Sequence, residues 1–144
     1  MKDLGEIKFF LEIEFARSEE GYLISQHNYA LELISKMGLS GAKPLYTPLD
    51  PNVKLTSIEF DSHVQGSEIT VTDRPLEDIE KYQRLVGRLL YLTMTRVDIS
   101  FVVQTLSQFM HASKQSHMEA SLRVVMYIKS APGLGLFRSF NYLL

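Results

Sequence analysis

The chain has no cysteine. Disulfides, thiolate metal sites and a cysteine nucleophile are therefore excluded. It also lacks an apolar run long enough to span a bilayer. The opening MKDLGEIKF mixes acids with bases and has neither the apolar core nor the cleavage site of a signal peptide. These absences point to an intracellular protein with no membrane partner, in a compartment the sequence does not name. Net charge is small, −2 with a pI of about 6.1, which argues against a free-standing nucleic-acid binder. What is present is a hydrophobic content of 45% over 144 residues. That is enough for a real core in one domain or two small subdomains.

The charge is unevenly spread. Acids dominate Glu12 to Glu20 and the middle of the chain, whereas Lys81, Arg84, Arg88, Arg96, Lys114, Arg123, Lys129 and Arg138 make the C-terminal half basic. Periodicity divides the chain along similar lines and gives an α+β fold. In residues 1–38, Ile7, Phe9, Leu11, Ile13 and Phe15 recur every second residue, which predicts one strand with an apolar face. A polar turn ending in Gly21 leads to a returning strand, Tyr22 to Ser25, which completes a β-hairpin. Ser25 is placed to cap a helix whose inner face is Ala30, Leu33, Ile34 and Met37, with Gly38 at its C-terminal cap. In residues 39–77, Pro44, Pro48 and Pro51 disfavour helix and a polar stretch without period follows, read as a strap and a flexible linker.

Residues 78–138 read as a mainly helical cluster, and 139–144 as an irregular tail. Tyr82, Leu85, Val86, Leu89 and Leu92 form the apolar stripe of the first helix there, with Lys81, Arg84 and Arg88 on a neighbouring stripe. Asp98 is expected to cap a second helix, buried through Ile99, Val102, Val103, Leu106 and Met110. Ser116 to Glu119 has a capping-box pattern for a third helix, with Glu119 placed to pair with Arg123. Ala131-Pro132-Gly133 ends that helix, and Leu134 to Phe137 is a candidate strand.

Four stretches together resemble one family. They are MKDLGEIKFFLEIE with GYLISQHNY, KPLYTPLDP, YQRLVGRLLYLTMTRVDI, and SQFMHASKQSH with RVVMYIKSA. In this order they resemble the copia-type retrotransposon reverse transcriptases of plant genomes, across nearly the whole chain apart from the linker and tail. The departures are Glu12 for a usual Gly, Val97 for Pro, Ala42 for Cys and Ser130 for Gly. The resemblance implies the end of a polymerase palm, a linker, and a helical thumb or connection region of a truncated Pol polyprotein. Its ancestral activity is RNA-directed DNA polymerisation on an RNA/DNA template-primer, with Mg²⁺ as cofactor of the intact enzyme.

The resemblance also implies that the chemistry lies elsewhere. The family's Tyr-x-Asp-Asp turn precedes the Met1 block, and its ribonuclease H domain follows Leu136. This sequence has no Asp-Asp, and two-metal transfer needs clustered carboxylates. No catalytic residue, metal ligand or cofactor is therefore assigned to this chain, and the palm and ribonuclease H domains are expected as missing partners. His111 and His117 flank a loop without metal-ligand spacing, and Gly133-Leu134-Gly135 lacks the third glycine of a dinucleotide loop. The candidate nucleic-acid contacts are Lys81, Arg84, Arg88, Arg96, Arg123 and Lys129, since duplex binding by a thumb is mainly phosphate contact. The hairpin from Phe10 to Gln26 resembles a primer grip, with Phe10, Glu12 and Gln26 as its candidate residues. The alternatives are a weak nucleic-acid-binding remnant and a helical module that docks on a protein partner.

Overall fold

A computed structural model describes residues 7–10, 13–58, 60 and 73–139. The chain forms an α+β fold. Three strands come first: β1 (Ile7–Phe10), β2 (Ile13–Arg17) and β3 (Gly21–Ser25). Helices α1 (His27–Lys36), α2 (Ile79–Leu92), α3 (Ser100–Ser107) and α4 (Gln115–Ile128) follow, with a short 3-10 turn at Val97–Ile99, and β4 (Leu136–Ser139) comes last. The strands make one antiparallel sheet in the order β1-β2-β3-β4.

The single strand expected from Ile7 to Phe15 is two strands paired antiparallel, with Phe10 opposite Ile13 and Lys8 opposite Phe15. Alternation of period two runs on through a short reversal, so it carries no mark of where the chain doubles back. Leu11 and Glu12 lie outside the described residues. Phe15 stacks on Tyr22 of β3, with ring centroids 5.0 Å apart. β4 then pairs with β3, Gly21 opposite Ser139 and Ile24 opposite Leu136. Both glycines at this seam are demanded by close approach. A methyl group on Gly21 would collide with the Arg138 carbonyl, and one on Gly135 with the Ile24 carbonyl.

One core serves α1, α2, α3 and α4. Ala30, Leu33 and Ile34 of α1 pack in the same cluster as Tyr82, Leu85, Val86, Leu89 and Leu92 of α2, Val102, Val103 and Leu106 of α3, and Val124, Val125 and Ile128 of α4. Each aliphatic side chain so buried contributes about 1.5–3 kcal/mol. The expected apolar stripes of α1, α2 and α3 therefore do face inward, although Met110 lies past the end of α3 and is only partly buried.

The helix ends are capped at longer range than the sequence suggests. Gln26, not Ser25, occupies the N-cap position of α1. The Asn28 N–H donates instead to the Glu14 carboxylate of β2, 2.8 Å away. The C-terminus of α1 follows expectation. Gly38 takes φ of 71°, its N–H donates to Ser35 O, and that of Leu39 donates to Ile34 O. This is a Schellman ending, which requires the left-handed conformation glycine adopts without penalty. At α4 the helix starts one residue before Ser116, and the Ser116 N–H donates to Asp73 Oδ1 at 3.0 Å.

Candidate nucleic-acid interface

The Asp78 carboxylate caps α2 by accepting from the Lys81 N–H at 3.1 Å. Because Tyr82, Leu85, Val86, Leu89 and Leu92 are each at most 1% exposed, the rotation of α2 about its axis is fixed. The neighbouring stripe is thereby fixed as well. Lys81 and Arg84 are exposed on it and Arg88 is half-buried, at spacings of three and four that keep them on one side. Arg84 pairs with Glu80 at 3.8 Å, in a surface contact whose side chains are 58% and 82% exposed. Such a pair is worth little and releases its cation readily. Gly87 sits between Arg84 and Arg88 with open space above it. A glycine inside a helix costs about 0.8–1 kcal/mol relative to alanine, and no packing in this structure requires one here.

The other three cations are placed differently. Arg96 is 2% exposed. Its Nε and Nη2 donate to the two oxygens of Asp98, and its Nη1 donates to Ala131 O at 2.9 Å. Arg123 turns to the strap and donates to Thr47 Oγ1 at 2.7 Å, not to Glu119. Lys129 donates to the carbonyls of Leu39, Ser40 and Ala42 just past α1. These three groups hold the fold together, while Lys81 and Arg84 are exposed and Arg88 is half-buried.

Asp98 does not cap α3, because the 3-10 turn intervenes. It accepts from Arg96 and from Tyr127 Oη at 2.7 Å. Burial alone would raise the Asp98 carboxyl. The hydrogen bonds from Arg96 and Tyr127 outweigh burial and hold it below the usual carboxylate range. The Tyr127 phenol is pushed up by its bond to Asp98.

A second polar knot had no signal in the sequence. Lys114 is 2% exposed, and its ammonium meets Asp73 at 3.2 Å and Thr56 Oγ1 at 2.9 Å. His117 is wholly buried and stacked on Phe109, with ring centroids 3.9 Å apart. Its Nδ1 accepts from the Lys114 N–H at 2.9 Å, so Nε2 carries the proton and donates to Thr56 O at 2.9 Å. Burial would raise Asp73, but the hydrogen bonds from Ser116 and Lys114 prevail and its carboxyl is held low. The partners are distant in sequence, so no local motif could reveal the knot.

Of the hairpin residues, Phe10 is described by its backbone, which pairs with Ile13, and Glu12 lies outside the described residues. Gln26 is 1% exposed, and its Oε1 accepts from Thr95 Oγ1 at 2.8 Å. It is therefore packed between the hairpin and the loop after α2. Among the described residues, no three His, Asp or Glu side chains gather to hold a metal. The carboxylates of Asp73 and Asp98 are taken up by their bonds to Ser116, Lys114, Arg96 and Tyr127. These residues do not fit Mg²⁺. No described helix is long and apolar enough to cross a membrane.

Comparison with known proteins indicates the class of sequence to which the chain is similar. Residues 1–51 match the family described as reverse transcriptase (RNA-dependent DNA polymerase). Over nearly its whole length the chain is similar to the Pol polyproteins of copia-type retrotransposons. It is 37% identical to the retrovirus-related Pol polyprotein from transposon RE1 of Arabidopsis thaliana and 34% identical to that from transposon RE2. Both matches cover 95% of this chain but 8% of the relative. An uncharacterized mitochondrial protein of Arabidopsis thaliana is 33% identical over 95% of this chain and 51% of its own length. No solved structure matches.

Proposed function

We propose that this chain carries the duplex-contacting part of a reverse transcriptase and, by itself, binds nucleic acid weakly without extending a primer. The observation that carries the reading is the outward face of α2, where Lys81, Arg84 and Arg88 line up around the open Gly87. Three cations on a helix locked by its buried stripe suit three successive phosphates, and the missing side chain at Gly87 lets a sugar–phosphate backbone come close. Binding of this kind is independent of sequence and steep in salt. Template and primer are the partners, and the carboxylates and Mg²⁺ that perform transfer belong to the palm, outside this chain.

The test is a salt titration of binding to a fluorescent RNA–DNA duplex. About 0.9 is added to the log–log slope per phosphate neutralised in B-form DNA, so three contacts give a slope near −3. Replacing Lys81, Arg84 and Arg88 with Ala is expected to flatten it with helix content unchanged. Equal binding by the triple variant would remove the reading.

A protein-interaction role has one observation in its favour. Met94, Val97 and Phe101 lie within one short stretch and are 53%, 62% and 80% exposed. If the triple variant binds duplex as the parent does, this apolar stretch becomes the better candidate surface.

A further inference from the structure

The strap crosses α4 as irregular chain that the fold barely holds. The Leu45 N–H donates to Met126 O at 3.1 Å. Beyond it, no backbone group of Tyr46, Thr47 or Pro48 is hydrogen-bonded among the described residues. Tyr46 is 77% exposed, and Thr47 beside it is exposed as well. Of the chain's five prolines, Pro48 alone follows a hydroxyl residue. That proline biases Thr47 toward extended backbone. An exposed threonine before proline, in a stretch free to enter an extended cleft, is the pattern a proline-directed protein kinase takes as substrate.

The second observation is the guanidinium that faces this threonine. Arg123 of α4 is half-buried. Its one hydrogen bond among the described residues runs from Nη2 to Thr47 Oγ1, at 2.7 Å. No described carboxylate pairs with it. A partly buried cation without an anion is unfavourable, and a negative charge at Thr47 answers it with charge-assisted hydrogen bonds. Nη2 already stands at the oxygen that would carry a phosphoryl group, so nothing has to enter the wall of α4. Asp50 and Glu119 line the groove beside Arg123, and their charges oppose a phosphate. Glu119 is exposed, where solvent screens it, and Asp50 Oδ1 accepts from the Asn52 N–H at 2.9 Å. The arginine is in direct contact and outweighs them.

We propose that Thr47 is a phosphorylation site for a proline-directed kinase, and that Arg123 receives the phosphate and pins the strap to α4. The γ-phosphoryl group of ATP passes to Thr47 Oγ1. A new P–O bond forms there as the bond from the γ-phosphorus to the β–γ bridging oxygen breaks. ADP leaves, and the hydroxyl proton goes to the kinase's catalytic carboxylate. The product carries a charge of about −1.5 to −2 at pH 7. No residue of the α2 stripe takes part, so this proposal and the nucleic-acid reading fail separately.

For the test, the whole chain is incubated with a mitogen-activated protein kinase and Mg²⁺–ATP, and the phosphate is located by mass spectrometry. We expect one phosphoryl group, on Thr47, absent from Thr47→Ala and strongly reduced in Pro48→Ala. Hydrogen exchange at the Leu45 N–H reports release of the strap. It should slow by roughly tenfold on phosphorylation, and in Arg123→Gln phosphorylation should leave it unchanged. A readout that needs no variant is ³¹P titration, in which Arg123 should hold the second pKa of the phosphothreonine below its ordinary value of about 6. An unmodified Thr47 overturns the proposal. So does a phosphate that titrates at about 6 or leaves Leu45 exchanging as before.

Discussion

Lys129 Nζ donates to the Leu39 carbonyl at 3.0 Å, across 90 residues of sequence. One ammonium at the end of α4 thus closes the turn that ends α1, where carbonyls are left without intrahelical partners. Lys129→Met is expected to cost about 1.5–3 kcal/mol, the range for hydrogen bonds to a charged group. Urea unfolding measures this, and faster tryptic cleavage at Lys36, in the last turn of α1, should accompany it. Duplex binding by the folded variant should not change, and a loss of binding at full helix content would return Lys129 to the nucleic-acid surface.

Arg96 is the stricter case, because its charge is buried. Arg96→Ala leaves the Ala131 carbonyl without its donor and the Asp98 carboxylate with Tyr127 Oη and water, and loss of hydrogen bonds to a charged group costs about 1.5–3 kcal/mol. A variant as stable as the parent would show that the pair is dispensable.

The carboxylates of Asp73 and Asp98 set the acid limit. Both have folded pKa values below the ordinary value of 3.8. Their contribution is present in full above the unfolded value and disappears as pH falls through the folded one. Stability should therefore hold down to about pH 4 and drop below it. Asp98→Asn should flatten that drop, and an unaltered acid profile would contradict the assignment.

Tyr82 sets the alkaline limit. Burial pushes its phenol up to about 12, and its Oη donates to Leu106 O at 2.6 Å. A raised folded pKa stabilises the fold below the unfolded value, near 10, and this is lost as pH rises toward 12. Phenolate absorbance should show late titration by Tyr127 and, together with unfolding, by Tyr82, and Tyr82→Phe should remove the component that accompanies unfolding.

Much of this was legible in the sequence. The buried stripe of α2 follows from a single period, and the same period turns Lys81 and Arg84 outward. Gly38 was legible because one residue type suits a left-handed cap. The reversal between Phe10 and Ile13 was hidden, since alternation looks the same along a strand and around a short hairpin. The caps from Glu14 to Asn28 and from Asp73 to Ser116 were hidden because their partners meet only after folding. Formal charge marks Arg96, Arg123 and Lys129 as cations but says nothing about whether phosphate, carboxylate or carbonyl answers them.

The glycines of the β3–β4 seam can be set against Gly87. Gly21→Ala and Gly135→Ala each force a methyl group into backbone, and overpacking costs about 1–3 kcal/mol. Gly87→Ala meets nothing, so it should stabilise α2 by up to about 1 kcal/mol. Thermal unfolding of the three variants should give opposite signs.

The pairing of Gly21 with Ser139 also orders the birth of the molecule. A ribosome delivers the hairpin first and β4 more than a hundred residues later, at about 5–20 residues per second. For several seconds the outer edge of β3 is exposed to whatever lies nearby, including the same strand of a neighbouring nascent chain. Gly21, which lets β4 lie so close, also leaves its end of that edge unguarded by a side chain, so crowding on a polysome, not the finished fold, is where this protein is most exposed to misassembly.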